Sequence, residues 1–134
     1  MPEKHHKQLK DKARSAKKRS YSPYSKFRVG AALLDSAGRI FTGANIENSS
    51  FSLTICAERV ALFKALSEGS KKFKAIAITS DSESFIPPCG ACRQVLFELA
   101  GNIEVLLVDK RGRTMHTKVG TLLPLPFTEK YLHT

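Results

Sequence analysis

Three cysteines and one glutamate carry the chemistry that residue type and spacing can reveal. Cys56, Cys89 and Cys92 are the only cysteines in the 134-residue chain. All three fall within two short motifs, Cys56-Ala57-Glu58-Arg59 and Pro88-Cys89-Gly90-Ala91-Cys92-Arg93-Gln94. An odd number of cysteines argues against a disulfide framework and leaves two readings, buried structural thiols or a metal site. At Cys-x-x-Cys spacing, Cys89 and Cys92 can hold one ion within a single helical turn, and Cys56 can supply a third ligand from a neighbouring helix. Three protein ligands with a fourth position open is the catalytic pattern for zinc, whereas closed structural sites use four. His5, His6, His116 and His133 lie outside both motifs, so no fourth protein ligand is evident.

Glu58, two residues beyond Cys56, is expected close enough to the metal to share its water without ligating it. It is assigned as the proton shuttle, taking a proton from zinc-bound water and passing protons on to the substrate and its leaving group. Three thiolates around Zn²⁺ carry a net charge of −1, which opposes acidification of bound water. Arg59, one helical turn from Cys56, is placed to drain that charge by hydrogen-bonding to sulfur. Cys₃ ligation, a non-ligand Glu and Pro-Cys-x-x-Cys together match the known arrangement of zinc deaminases, in which hydroxide attacks C4 of cytosine or C6 of adenine. The match fixes a reaction class and leaves the substrate open.

These groups need elements that bring them together. Each cysteine motif opens a helix after a strand or its loop, one from Cys56 to about Glu68 and one over Cys89–Ala100. Two helix N-termini would then aim free N–H groups and positive dipole ends at one spot, which favours thiolates. Phe27–Leu34 and Arg39–Ala44, separated by Asp35-Ser36-Ala37-Gly38, read as a β-hairpin. Ala75–Thr79 and Ile103–Val108 are short apolar runs of buried-strand type, and Thr114–Val119 would be an edge strand. Upstream, Leu9, Ala13 and Ala16 mark a thin apolar stripe on a helix of about residues 6–19. Strands alternating with such helices give an α/β class: a three-layer α/β/α sandwich with a mixed five-stranded sheet.

Length and composition fit one domain over residues 1–134, with 42% apolar and 25% charged residues. Residues 1–12 are expected to be a basic, partly frayed N-terminal segment. The net charge of +10 is concentrated there, since residues 1–20 alone contribute +6. That distribution marks a solvated helix face rather than a basic groove, and it lacks the interleaved aromatics of a single-strand binder. Nucleic acid is therefore an unlikely partner. No apolar run is long enough to span a bilayer and no secretory signal is evident, so the expectation is a cytoplasmic protein without a membrane partner.

At the level of whole segments the chain resembles the small, homotetrameric class of zinc-dependent cytidine deaminases. SPYSKFRVGAALL, GRIFTGANIENSSF, ICAERVALFKALSEG and PCGACRQV carry the resemblance, which runs from about Ala13 to Tyr131. It implies hydrolytic deamination of free cytidine and 2′-deoxycytidine to uridine, 2′-deoxyuridine and ammonia, in pyrimidine salvage, with one Zn²⁺ per subunit. It implies that Phe27 stacks on the pyrimidine, that Asn45 and Glu47 hydrogen-bond ribose hydroxyls, and that Ala57 also contacts substrate. It implies a homotetramer with shared active sites, in which Phe127, Ser49 and Phe51 close the pocket of a neighbouring subunit. Many members carry Tyr where this chain has Phe51, so a hydroxyl is lost at that position. Blasticidin S deaminases share the zinc motif, but Asn45-Ile46-Glu47-Asn48 suits an ordinary ribose. Polynucleotide deaminases typically show His-x-Glu rather than Cys-x-Glu, and a binding protein without catalysis would not need Glu58.

Overall fold

The computed structural model describes residues 3–132; His133 lies outside them. Five strands form one mixed sheet in the order β2-β1-β3-β4-β5. They are β1 (Val29–Asp35), β2 (Ile40–Ala44), β3 (Phe73–Ser80), β4 (Glu104–Val108) and β5 (Thr114–Lys118). Only β3 and β4 pair in parallel, and the other three pairings are antiparallel. Helix α1 (Glu3–Lys17) covers one face of the sheet; α2 (Ala57–Ser67), α3 (Gly90–Ala100) and the short α4 (Val119–Leu122) cover the other.

Two cores follow from alternation along the strands. Leu9 and Ala13 of α1 pack on Ala32, Leu34, Ala75, Ala77 and Leu106. On the opposite face Ala31, Leu33, Ile76, Ile78, Val105 and Leu107 meet Ala61, Leu62 and Ala65 of α2 and Leu96 of α3. Strand β3 is apolar on both sides because both layers need it. Two glycines set the layer spacing. A Cβ at Gly30 would stand 2.2 Å from the Ala13 carbonyl oxygen, and one at Gly43 would stand 2.5 Å from that of Ala57. Both helices therefore press their backbones against the sheet where no side chain fits.

Both antiparallel turns that flank the sheet use the same device. Asp35-Ser36-Ala37-Gly38-Arg39 joins β1 to β2, and Asp109-Lys110-Arg111-Gly112-Arg113 joins β4 to β5. Each aspartate is buried, accepts two backbone N–H bonds from its own turn, and meets the Nε of the arginine four residues on. Asp35 also accepts from Ser70 Oγ at 2.8 Å. Burial opposes both charges, yet these bonds hold both carboxyls below the usual range.

Boundaries move in physically readable ways. The first helix begins at Glu3 and ends at Lys17, so residues 3–12 of the expected N-terminal segment are helical, and residues 1–2 lie outside the described residues. Leu9 anchors that part at the sheet, fully buried. Cys56 and Cys89 precede α2 and α3 as N-caps with extended backbone, so each helix starts one residue later than its cysteine. The edge strand stops at Lys118, and Val119 opens a one-turn helix in which Gly120 N–H donates to Asn102 Oδ1 at 2.6 Å.

Candidate metal and substrate site

Topology assembles the site. Strands β2 and β3 run in the same direction, because both are antiparallel to β1. The chain leaves both at one end of the sheet, enters α2 from the first and α3 from the second, and so brings two helix N-termini to that end. The start of β1 lies there too, with Val29 paired to Ser80. The gap between these ends is a cavity of about 200 Å³ whose lining includes Asn45, Cys56, Ala57, Glu58 and Cys89.

Cys56 and Cys89 line it, and the Cys92 thiol stands next to theirs. Cys56 Sγ and Cys89 Sγ are 3.8 Å apart, and all three sulfurs lie within 4.8 Å of one another. A tetrahedral zinc with Zn–S bonds of about 2.3 Å holds its sulfurs about 3.8 Å apart. The donor set therefore fits a zinc ion. Cys89 Sγ also accepts the Cys92 N–H at 3.4 Å, capping α3, and Arg59 Nη2 donates to Cys56 Sγ at 3.5 Å. Hydrogen bonding from Cys92 and the adjacent Arg59 hold the Cys56 thiol down to about 5, against the effect of burial. Cys92, hydrogen-bonded to Cys56 and buried, is pushed well above the usual thiol range. One thiolate thus forms readily beside Arg59, whereas ionisation of Cys92 is opposed without a cation.

Glu58 is 4% exposed. Burial pushes its carboxyl up to about 7, and the charge on Cys56 adds to the effect. A group with that affinity can hold or release a proton near neutrality, which suits general acid–base work.

Asn45 and Glu47 follow β2 and are both buried. Asn45 Oδ1 accepts from Ser20 Oγ at 2.5 Å and Val29 N at 2.9 Å, while Nδ2 donates to the Phe27 carbonyl at 2.9 Å. Glu47 Oε1 accepts the N–H groups of Tyr24 and Ser25, and Oε2 accepts Ser25 Oγ. These bonds, that from the Ser25 hydroxyl foremost, keep the Glu47 carboxyl below its usual range. An amide has two donors and a carboxylate about four acceptor positions, so each residue retains one polar position for a ligand. The same bonds shape the 20–28 segment that carries Phe27, in which Lys26 takes a left-handed backbone with φ of 61°.

Other expected residues stand apart from the cavity of their own chain. Phe27, 36% exposed, is outside its lining; so are Glu47, Ser49, Phe51 and Phe127. Phe51 opens a 3₁₀ turn (Phe51–Leu53) on the surface. Phe127 stacks on Tyr131, and its backbone N–H and carbonyl pair with the Gln94 side chain. Thr54, Ile86 and Pro87 line the cavity without having been singled out from sequence. The Pro87-Pro88 pair ahead of Cys89 was the available signal, since it fixes the approach to α3.

The family described as the cytidine and deoxycytidylate deaminase zinc-binding region matches residues 3–108. A cytidine deaminase from Sporosarcina psychrophila is 49% identical over 121 residues, covering 90% of this chain and 89% of that one. A probable cytidine deaminase from Dictyostelium discoideum is 50% identical over 123 residues, 91% of this chain and 83% of the relative. Among solved structures, the cytidine deaminase from Burkholderia pseudomallei superposes with a TM-score of 0.88 at 46% identity, covering 91% of this chain and 98% of its own.

Proposed function

The chain belongs to the cytidine and deoxycytidylate deaminase family, and from that footing we propose that it acts on free cytidine and 2′-deoxycytidine, with Glu58 moving the protons. Its reaction is zinc-dependent hydrolytic deamination of cytidine. The observation that carries the proton assignment is the buried Glu58 carboxyl, which lines the same cavity as Cys56 and Cys89.

Cys56, Cys89 and Cys92 hold the zinc, which when bound supplies Lewis-acid activation of water for attack at C4. Arg59 lends positive charge to the Cys56 sulfur and so offsets the negative thiolate set. Glu58 accepts a proton from the attacking water and passes it to N3 of the pyrimidine; it then takes the proton of the new C4 hydroxyl and delivers it to the departing amino nitrogen. Asn45 donates its remaining N–H to a ribose hydroxyl oxygen, and Glu47 accepts a hydroxyl hydrogen at its remaining lone pair. Backbone at Ala57, which lines the cavity, borders the base. Phe27 offers a ring for stacking on the pyrimidine.

Closure of the site comes from a neighbouring subunit in a homotetramer, through Phe127, Ser49 and Phe51. Support for this lies in their position away from the cavity of their own chain and in the exposure of both aromatic rings. No helix among the described residues is long and apolar enough to cross a membrane. The proposed setting is cytoplasmic pyrimidine salvage.

Ultraviolet absorbance separates the substrates. Cytidine and 2′-deoxycytidine should lose their cytosine absorbance, adenosine and a short cytosine-containing oligonucleotide should not, and zinc chelation should abolish the change. Turnover of the oligonucleotide without the nucleosides would overturn the free-nucleoside reading.

A further inference from the structure

A second group of metal-ligating side chains lies on the other face of the sheet, away from the cysteines. In the β4–β5 pairing Leu106 stands opposite His116, and Glu104 stands opposite Lys118. Glu104 and Leu106 are two residues apart, so Glu104 and His116 share the face on which Leu106 packs beneath Leu9 of α1. His6 precedes Leu9 by three residues and projects from the same side of the helix. One turn before the helix anchors itself, His6 therefore meets Glu104 and His116.

The contact is close. His6 Nε2 lies 3.4 Å from Glu104 Oε1, and His116 Nδ1 lies 3.7 Å from the same oxygen. The two imidazoles meet edge to face with centroids 5.0 Å apart. One ligand atom from each of the three residues lies within 4.8 Å of the other two. Nitrogen and oxygen ligands at about 2.0–2.1 Å around a tetrahedral ion stand about 3.3 Å apart. The set needs only small side-chain rotations to close on a cation.

A further observation points to a missing ligand. Although near Glu104, His6 Nε2 makes no hydrogen bond and is sealed from solvent, and Thr114 Oγ1, of a residue lining the same cavity, is equally unpartnered. Both residues, with His116, Lys7 and Lys10, line a cavity of about 370 Å³. Buried polar atoms without partners are costly, and a cation with bound water would satisfy both. The Lys7 ammonium, one of the charges opposing a cation, turns away to Asp11 at 3.9 Å and is mostly in water.

We propose that His6, Glu104 and His116 form a second metal site, for a borderline divalent cation such as Zn²⁺, Ni²⁺ or Cu²⁺, which fastens α1 to the β4–β5 edge of the sheet. Two imidazoles and one carboxylate suit such ions better than Mg²⁺ or Ca²⁺, which favour oxygen. The remaining coordination positions face the cavity and are filled by water. The role is structural: the ion ties the first turns of α1 to the far edge of the sheet, remote from the cysteines.

Ni²⁺ is the probe. Enzyme holding one zinc per chain is titrated with NiCl₂ by calorimetry, with zinc and nickel contents measured after desalting and thermal unfolding followed in parallel. The expected result is one Ni²⁺ per chain with zinc retained, and a Tm rise of about 5–10 °C at a hundredfold excess over the dissociation constant. His6→Ala and His116→Ala should each abolish the uptake and the Tm rise, whereas His5→Ala should keep both. Nickel uptake matched by zinc loss would assign the ion to the cysteines and overturn the proposal. So would uptake unchanged in His116→Ala, or no uptake at all.

Discussion

At the scale of single residues, Glu58 joins two properties that rarely coincide, near-complete burial and a position beside three thiols. Glu58→Gln keeps the shape and removes the exchangeable charge. Turnover should fall by at least about a hundredfold, since positioned acid–base groups contribute roughly 10²–10⁴, while zinc content and Tm are retained. A near-normal kcat with full zinc would remove Glu58 from the proton path. The cysteines and this carboxylate were legible in the sequence because ligand chemistry demands particular residue types at short spacing. The surroundings of Asn45 and Glu47 were not. Ser20, Ser25 and the backbone of 24–25 reach those residues only after the chain has turned back across some twenty positions, and no local pattern announces such bonds. That network makes Asn45 a structural residue as well as a proposed ribose contact. Asn45→Ala should therefore lower Tm as well as raise KM, and a KM effect at unchanged Tm would mean that the loop holds its shape without the amide.

The elements are largely legible in the sequence because alternation and apolar runs depend on which face is buried. Their ends shifted because caps and backbone approach are three-dimensional properties. Gly43 is the clearest case. Its role cannot be seen in the strand pattern, yet a Cβ there would collide with the Ala57 carbonyl at 2.5 Å and the Ala61 nitrogen at 2.6 Å. Gly43→Ala should push α2 outward, costing about 1–3 kcal/mol. Because Glu58 follows Ala57 directly, kcat should fall in the same variant. Loss of Tm with unchanged kcat would mean that α2 relaxes at its far end. A second link between elements is ionic. Asp81, just past β3, pairs with Arg28 at 3.0 Å and with Lys17 of α1 at 3.2 Å. The Arg28 hydrogen bond, then Lys17, draw its carboxyl from 3.8 down to about 2, with burial opposing. The ionised form is favoured by folding, so the stabilisation is complete above the unfolded value and disappears as pH falls from about 4 to 2. Partial exposure reduces it to about 1 kcal/mol. Asp81→Asn should shift the urea midpoint at pH 7 and leave it unchanged near pH 2; an equal shift at both would assign the effect to packing.

For the whole molecule, the question is what covers the apolar surface that one chain leaves in water. Phe51, Leu53, Phe63, Leu99, Leu125 and Phe127 are all exposed, and Leu125 is 82% so. Isolated exposed apolar residues are ordinary, but six large ones on the connections and outer helix faces suit buried positions in an assembly. Those faces belong to the layer that contains the cysteines, whereas α1 presents a mainly charged outer surface. The sequence could not locate this asymmetry, because composition counts apolar residues without saying which face they leave bare. Association through the α2–α3 side would bring the ring of Phe127, which among the described residues stacks on Tyr131, against a neighbouring copy. Light scattering should give about 59 kDa, four times the 14.8 kDa chain. Phe127→Ala should then raise KM several-fold or lower the mass, whereas its stacking on Tyr131 alone predicts only a small loss of Tm. A chain that stays at 14.8 kDa while turning over cytidine normally would mean that one subunit closes its own pocket. If mass and KM both match the parent in Phe127→Ala, the tail has no part in the site.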